Sequence, residues 1–148
     1  VRILRTIIQN PSLSDKLEIY PIDCLDYRLT ASLVESVGDQ SAQMAEHAIR
    51  MEGSKLTKEA SQPLLNLHKV VHESYDDAVT AFFSRNIPIA ESVRGKRDLV
   101  EELYRKVESV ANTQPVEVSQ CLLSVLSLME RIYDHSVDIS DLTIPRLR

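Results

Sequence analysis

Glycine occurs only 3 times in 148 residues, tryptophan is absent, and aromatic residues make up 5% of the chain. Sandwiches and barrels need many tight turns and aromatic or β-branched strand pairs, so this scarcity points to packed helices instead. The two cysteines, Cys24 and Cys121, stand in unlike surroundings. They exclude a disulfide framework and fit a reduced, cytoplasmic protein. Basic residues number 17 against 22 acids, for a net charge of -5. Because nucleic-acid binding rests on Lys and Arg neutralising phosphates, direct contact of this segment with DNA or RNA is not expected. No apolar run approaches the roughly 20 residues needed to cross a bilayer, so neither membrane insertion nor a secretory leader is expected. Catalytic signatures are missing too. There is no Gly-rich phosphate loop, nucleophile elbow or Cys-x-x-Cys. The Glu-x-x-His spacing of di-iron bundles is also absent, since Met44, Leu65, Lys69 and Ile132 stand three before His47, His68, His72 and His135. The chain is not expected to be an enzyme.

What is there is helical periodicity. Ile3, Ile7 and Ile8 share a face, and Pro11 after Asn10 closes that first segment. Pro11 to Ile22 reads as a connection with room for one short turn of helix, with Asp23 as N-cap of the long helix after it. From Cys24 to Met51 the residues Leu25, Leu29, Leu33, Val37, Met44 and Ala48 mark that helix as amphipathic, and Gly53 ends it. Ser54 and Ser61 are candidate caps for the next, whose regular part is expected from about Gln62 to Arg85, with Leu64, Leu67, Val71, Ala78 and Phe82 as its seam. Pro88 opens one further helix to Asn112, with Val93, Val100, Leu103, Val107 and Val110 as its apolar positions. The last runs from Val116 to about Leu142 and buries Leu122, Leu126, Met129 and Tyr133, flanked by Ile132 and Ile139. Four long helices with short connections imply an all-α, antiparallel up-and-down bundle. The length fits a single domain.

Two stretches repeat each other. "ESVGDQSAQMAE" begins at Glu35 and "ERIYDHSVDISD" at Glu130. The differences 130 − 35, 134 − 39 and 141 − 46 are each 95, and the same offset pairs Val37 with Ile132, Ser41 with Ser136 and Met44 with Ile139. Matching polar and apolar positions together indicate an internal duplication of a helical unit. Glu35 and Asp39, like Glu130 and Asp134, are four apart and share a helix face, a like-charge spacing that costs roughly 0.2–0.5 kcal/mol in an isolated helix. Acids on a polar face usually do no more than keep it in water. Their recurrence at corresponding sites, extended by Glu46 and Asp141, calls for a counter-charge, and a row of oxygen ligands suits hard cations or iron. His68, His72 and Asp76 form another stripe that can hold a transition metal but more simply flanks the core. His135, about 100° round the helix from Asp134, reads as a partly buried helix histidine.

These residues resemble the PhoU family of phosphate-uptake regulators, whose three-helix repeats carry Glu-x-x-x-Asp within a string like ERIGDHAxNIAE. The second copy departs mainly by Tyr133 for glycine and Asp138 for asparagine, whereas the first retains Gly38. "ESYDDAVTAFFSRNIPIAESVRGKRDLVEELYRKV", from Glu73 to Val107, is similar to the family's first two helices. The resemblance implies one full repeat over 54–142, the last helix of a preceding repeat over 23–52, and a partial helix and connection over 1–22. It implies a fragment of a longer protein, and the run "PIDCLDYRLTASLVESVGD" resembles archaeal forms in which an AbrB-type DNA-binding segment precedes the PhoU region. It further implies iron, zinc or another divalent metal at Glu35, Asp39, Glu130 and Asp134, with Glu101 from the neighbouring helix and Asp98 beside it. There the pattern departs again, because Arg97 stands where an acid is expected, and a basic side chain can take the metal's place by pairing with Glu101.

By the same resemblance the function is regulation of phosphate uptake and phosphate homeostasis, through contacts with a phosphate transporter or its sensor kinase. The alternative is a structural oligomerisation or sensory module of a transcription regulator or ion channel, without metal. A fragment lacking helices exposes apolar area that a second copy can cover, so a homodimer is expected.

Overall fold

The computed structural model describes residues 2–54 and 56–143. They form seven helices, α1 (Arg2–Gln9), α2 (Pro11–Leu17), α3 (Pro21–Arg50), α4 (Lys58–Ser84), α5 (Ile87–Gly95), α6 (Arg97–Ala111) and α7 (Val116–Thr143). The fold is an all-α bundle, with no strand among the described residues. None of their helices is long and apolar enough to cross a membrane. The chain makes two compact units, Val1–Ser36 and Val37–Arg148, with the boundary inside α3.

In the first unit the stretch read as a connection is mostly helix. Asn10 caps α2 by accepting a hydrogen bond from the Leu13 N–H at 3.2 Å, and Pro11 occupies the first turn, where its missing N–H costs nothing. Glu18 then turns left-handed at φ 52° and stops the helix. The third helix starts at Pro21, two residues before the expected cap. Asp23 lies inside its first turn and reaches back, its carboxylate accepting from the Tyr20 N–H at 2.9 Å. Ile7 and Cys24 are buried, but Leu25 and Leu29 of the expected apolar face are 49% and 43% exposed.

The second unit is built around α7, which packs against α4, α5 and α6. Two adjacent stripes of α7 are buried, so Leu122, Val125, Leu126, Met129, Ile132, Tyr133 and Ile139 all face neighbours, while Ser136 and Ser140 donate to the carbonyls of Ile132 and Ser136 within the helix. Leu67 and Val71 of α4, Val100, Leu103 and Val107 of α6, and Val37 of α3 complete the core.

Two boundaries differ from the sequence reading. Helix α4 begins at Lys58 after Thr57 and carries Pro63 inside it. The ring leaves the carbonyl of Glu59 without its helical donor, but Glu59 is exposed, so water can supply one. The helix expected from Pro88 to Asn112 is broken at Lys96, into α5 and α6. The Val93 carbonyl, which a continuous α-helix would bond to the Arg97 N–H, accepts instead from the Lys96 N–H at 3.2 Å and from the Tyr133 hydroxyl at 2.8 Å. Lys96 also donates through Nζ to the Asp77 carboxylate of α4 at 2.9 Å.

Candidate functional site

The acidic row of α7 faces the broken pair α5–α6, and arginines answer two of its three acids. Arg97, the first residue of α6, donates from Nη2 to Oδ1 of Asp134 at 3.2 Å. Arg94, near the end of α5, places Nε 3.4 Å from Oδ1 of Asp141. The Arg97 guanidinium lies over the Tyr133 ring, 5.5 Å from its centroid. That ring is 1% exposed, and its hydroxyl is the one anchored to the Val93 carbonyl at the break. Burial first of all pushes the Tyr133 hydroxyl above the usual phenol range of about 10, Arg97 opposes this, and the carboxylates of Asp134, Asp98 and Glu101 add to it. Tyr104 is raised as well, by burial and then by Glu130 and Glu108.

A depression of about 260 Å³ opens beside these groups, lined among others by Arg97, Glu101, Arg105, Glu130 and Asp134. Four of the predicted or motif-linked positions therefore share one surface. Asp98 does not line it and faces a separate groove of α6 with Glu102 and Lys106. The pairing expected between Arg97 and Glu101 is not made. Glu101 instead receives Arg105, Nη2 to Oε2 at 3.4 Å, one turn on. An acid followed four residues later by a base is the favourable order on a helix, and Arg97 is thereby left for α7.

The donor set does not suit a divalent metal. Among the described residues no group of three or more His, Cys, Asp or Glu side chains is placed to hold a metal ion. Asp134 is engaged by one guanidinium and Glu101 by another, so two of the acids lining the depression each carry a permanent cation. The stripe on α4 fares no better. His72 pairs with Asp76, Nδ1 to Oδ2 at 3.3 Å, and the His68 and His72 rings lie 6.0 Å apart at the rim of a groove of about 490 Å³ that includes Val37, Met44, Val71 and Met129.

The sister row on α3 is different. Glu35 in the first unit and Asp39 and Glu46 in the second are all exposed. None of the three ion-pairs with another described residue. Next to Asp39, Gln40 is 2% exposed and lies 3.1 Å from Nε2 of His135 through its own Nε2. With the amide donating, Nε2 of His135 is the acceptor; its Nδ1 is buried and makes no hydrogen bond to a described residue, the Asp138 carboxylate lying 3.8 Å away. The two residues are 95 positions apart, the repeat offset itself, so equivalent positions of α3 and α7 meet each other. A contact between equivalent positions is what an approximate two-fold relation of the duplicated helices produces. Sequence reasoning singled out His135 but missed Gln40, and the offset was the signal that could have found it.

The PhoU domain family matches residues 64–143, from the second turn of α4 to the end of α7. A "Phosphate-specific transport system accessory protein PhoU homolog" of Aquifex aeolicus (strain VF5) is 30% identical over 94 residues, 62% of this chain and 40% of the relative. The chain thus spans well under two thirds of that relative's length. No solved structure matches it. The family match covers more than half of the chain, and coincides with the bundle whose last helix carries the Glu-x-x-x-Asp row: this protein belongs to the PhoU family.

Proposed function

We propose that the chain is a helical regulatory module of phosphate uptake and phosphate homeostasis that works through protein contacts. The family match over α4–α7 carries this reading, and the relative's printed role as a transport-system accessory protein supports it. On the second unit, the exposed and unpaired Asp39 and Glu46 offer anions seven residues apart on one helix face. A basic partner surface complements them, just as arginines complement the corresponding acids of α7. Phosphate transporters and their sensor kinases are the partner class this reading names. Deleting the coding region and measuring phosphate uptake in phosphate-rich medium tests it. Deregulated uptake, restored by the wild-type gene, is expected; uptake that stays repressed in the deletion strain removes the proposal.

A second reading has its own observation. Ile22, Leu25 and Leu29, at spacings of three and four, are 55%, 49% and 43% exposed. An apolar stripe of this kind favours self-association, so a homodimer is the second proposal. Light scattering across a range of concentrations checks it, and a mass that stays monomeric throughout rules it out.

A further inference from the structure

We infer that Arg97 is the built-in cation of the α6–α7 acidic site, seated by Tyr133 and holding there the place a divalent metal would need. The duplication supplies the comparison. Position 133 corresponds to 38 by the offset of 95, and the first copy has glycine there. A Cβ added at Gly38 would meet nothing within 4 Å, so among the described residues no neighbour packs against this position in the first copy. In the second copy the place is filled by a ring that is 1% exposed and tied through its hydroxyl to the Val93 carbonyl at 2.8 Å. That tie fixes the ring's orientation. One face then supports the guanidinium of Arg97 at 5.5 Å, while the same guanidinium donates to Asp134 at 3.2 Å.

Tyr133 and Arg97, two departures from the family pattern, are thus parts of one arrangement. Arginine stays charged at any accessible pH, and its planar group can stack and hydrogen-bond at once, which a lysine in its place could not do as well. A divalent ion entering the depression would have to take Asp134 from Arg97 and then sit beside the displaced guanidinium and that of Arg105, both lining the same depression. Arg94 repeats the device on the other side of the break, at Asp141. The arginines therefore bind both segments of the broken helix to α7 with no metal. This assignment concerns the chemistry of α5–α7 and holds whether or not the chain governs phosphate uptake.

The test uses Mn²⁺, which suits oxygen ligands. In the wild-type chain, Mn²⁺ titration followed by electron paramagnetic resonance is expected to show no saturable site that depends on Glu130 and Asp134. Arg97→Asp frees Asp134 and puts a third acid beside it. This variant is expected to bind Mn²⁺ at least about tenfold more tightly than wild type, with a matching rise in melting temperature. Wild-type binding that disappears in Glu130→Ala/Asp134→Ala overturns the assignment. So does a folded Arg97→Asp that binds no better than wild type. Should Arg97→Asp lose its helical circular dichroism, the wild-type amide resonances decide: selective Mn²⁺ broadening across 130–134 refutes the assignment, and its absence supports it.

Discussion

Replacing Tyr133 by phenylalanine removes one hydroxyl and little else, which makes it a sharp probe of the α5–α6 break. The ring is 1% exposed, so its packing and the face under Arg97 persist in the variant. What is lost is the hydrogen bond to the Val93 carbonyl at 2.8 Å and a longer one to the Arg94 carbonyl at 3.4 Å. Stranding a buried carbonyl outright costs about 1–3 kcal/mol, but Val93 keeps the Lys96 N–H as a partner at 3.2 Å. The loss therefore falls near the net value of one hydrogen bond, about 1 kcal/mol. In urea this lowers the unfolding midpoint by roughly 0.3–1 M, given slopes of about 1–3 kcal/mol per molar.

The pH dependence adds a second, independent readout. Burial raises the Tyr133 hydroxyl above its unfolded value of 10.0. Above pH 10 the unfolded chain gives up this proton before the folded one does, so the folded state then holds more protons and stability falls as pH rises. The contribution is whole below pH 10 and is lost as pH climbs through the folded value. The variant has no such group, so the gap between the two proteins narrows above pH 10. Urea melts of both, at neutral and alkaline pH, measure it. A variant as stable as wild type at neutral pH, or a gap that does not change on the alkaline side, refutes the reasoning.

Two further substitutions separate burial from local capping. Leu126→Ala, at a side chain with 0% exposure in the centre of α7, is expected to cost about 2–5 kcal/mol, whereas Leu65→Ala, 62% exposed on α4, stays within about 0.5 kcal/mol. Chemical denaturation of the pair checks this, and equal losses would contradict the described core. Asn86→Ala removes the acceptor of the Ile89 N–H at 3.2 Å from the start of α5 and is expected to cost about 1 kcal/mol, with Asn86→Asp retaining most of the stability.

Much of the bundle was legible because helices announce themselves locally. The seam residues Leu67, Val71, Ala78 and Phe82 of α4 and Leu122, Leu126 and Met129 of α7 are all buried where periodicity placed them. Asn10 and Asn86, the first directly before a proline and the second two residues before one, cap α2 and α5. The misreadings have long-range causes. Leu25 and Leu29 lie on the expected apolar stripe of α3, but a stripe is buried only if a partner covers it. The break at Lys96 depends on a hydroxyl that comes from Tyr133, in another helix.

The sequence by itself determined that the chain folds as helices, where most of them stop, and that two of them carry the same row of acids at a constant offset. Those properties arise from contacts within a few residues, from proline and cap geometry, and from an offset that arithmetic can find. Only the tertiary structure decided which cation each acid meets. Arg97 has acids within reach on its own helix and on the next, and packing on the Tyr133 ring turns it to Asp134, leaving Glu101 to Arg105. Spacing along α6 favours Glu101 with Arg105, but that Arg97 meets an acid of another helix is decided by the position of neighbouring side chains in space.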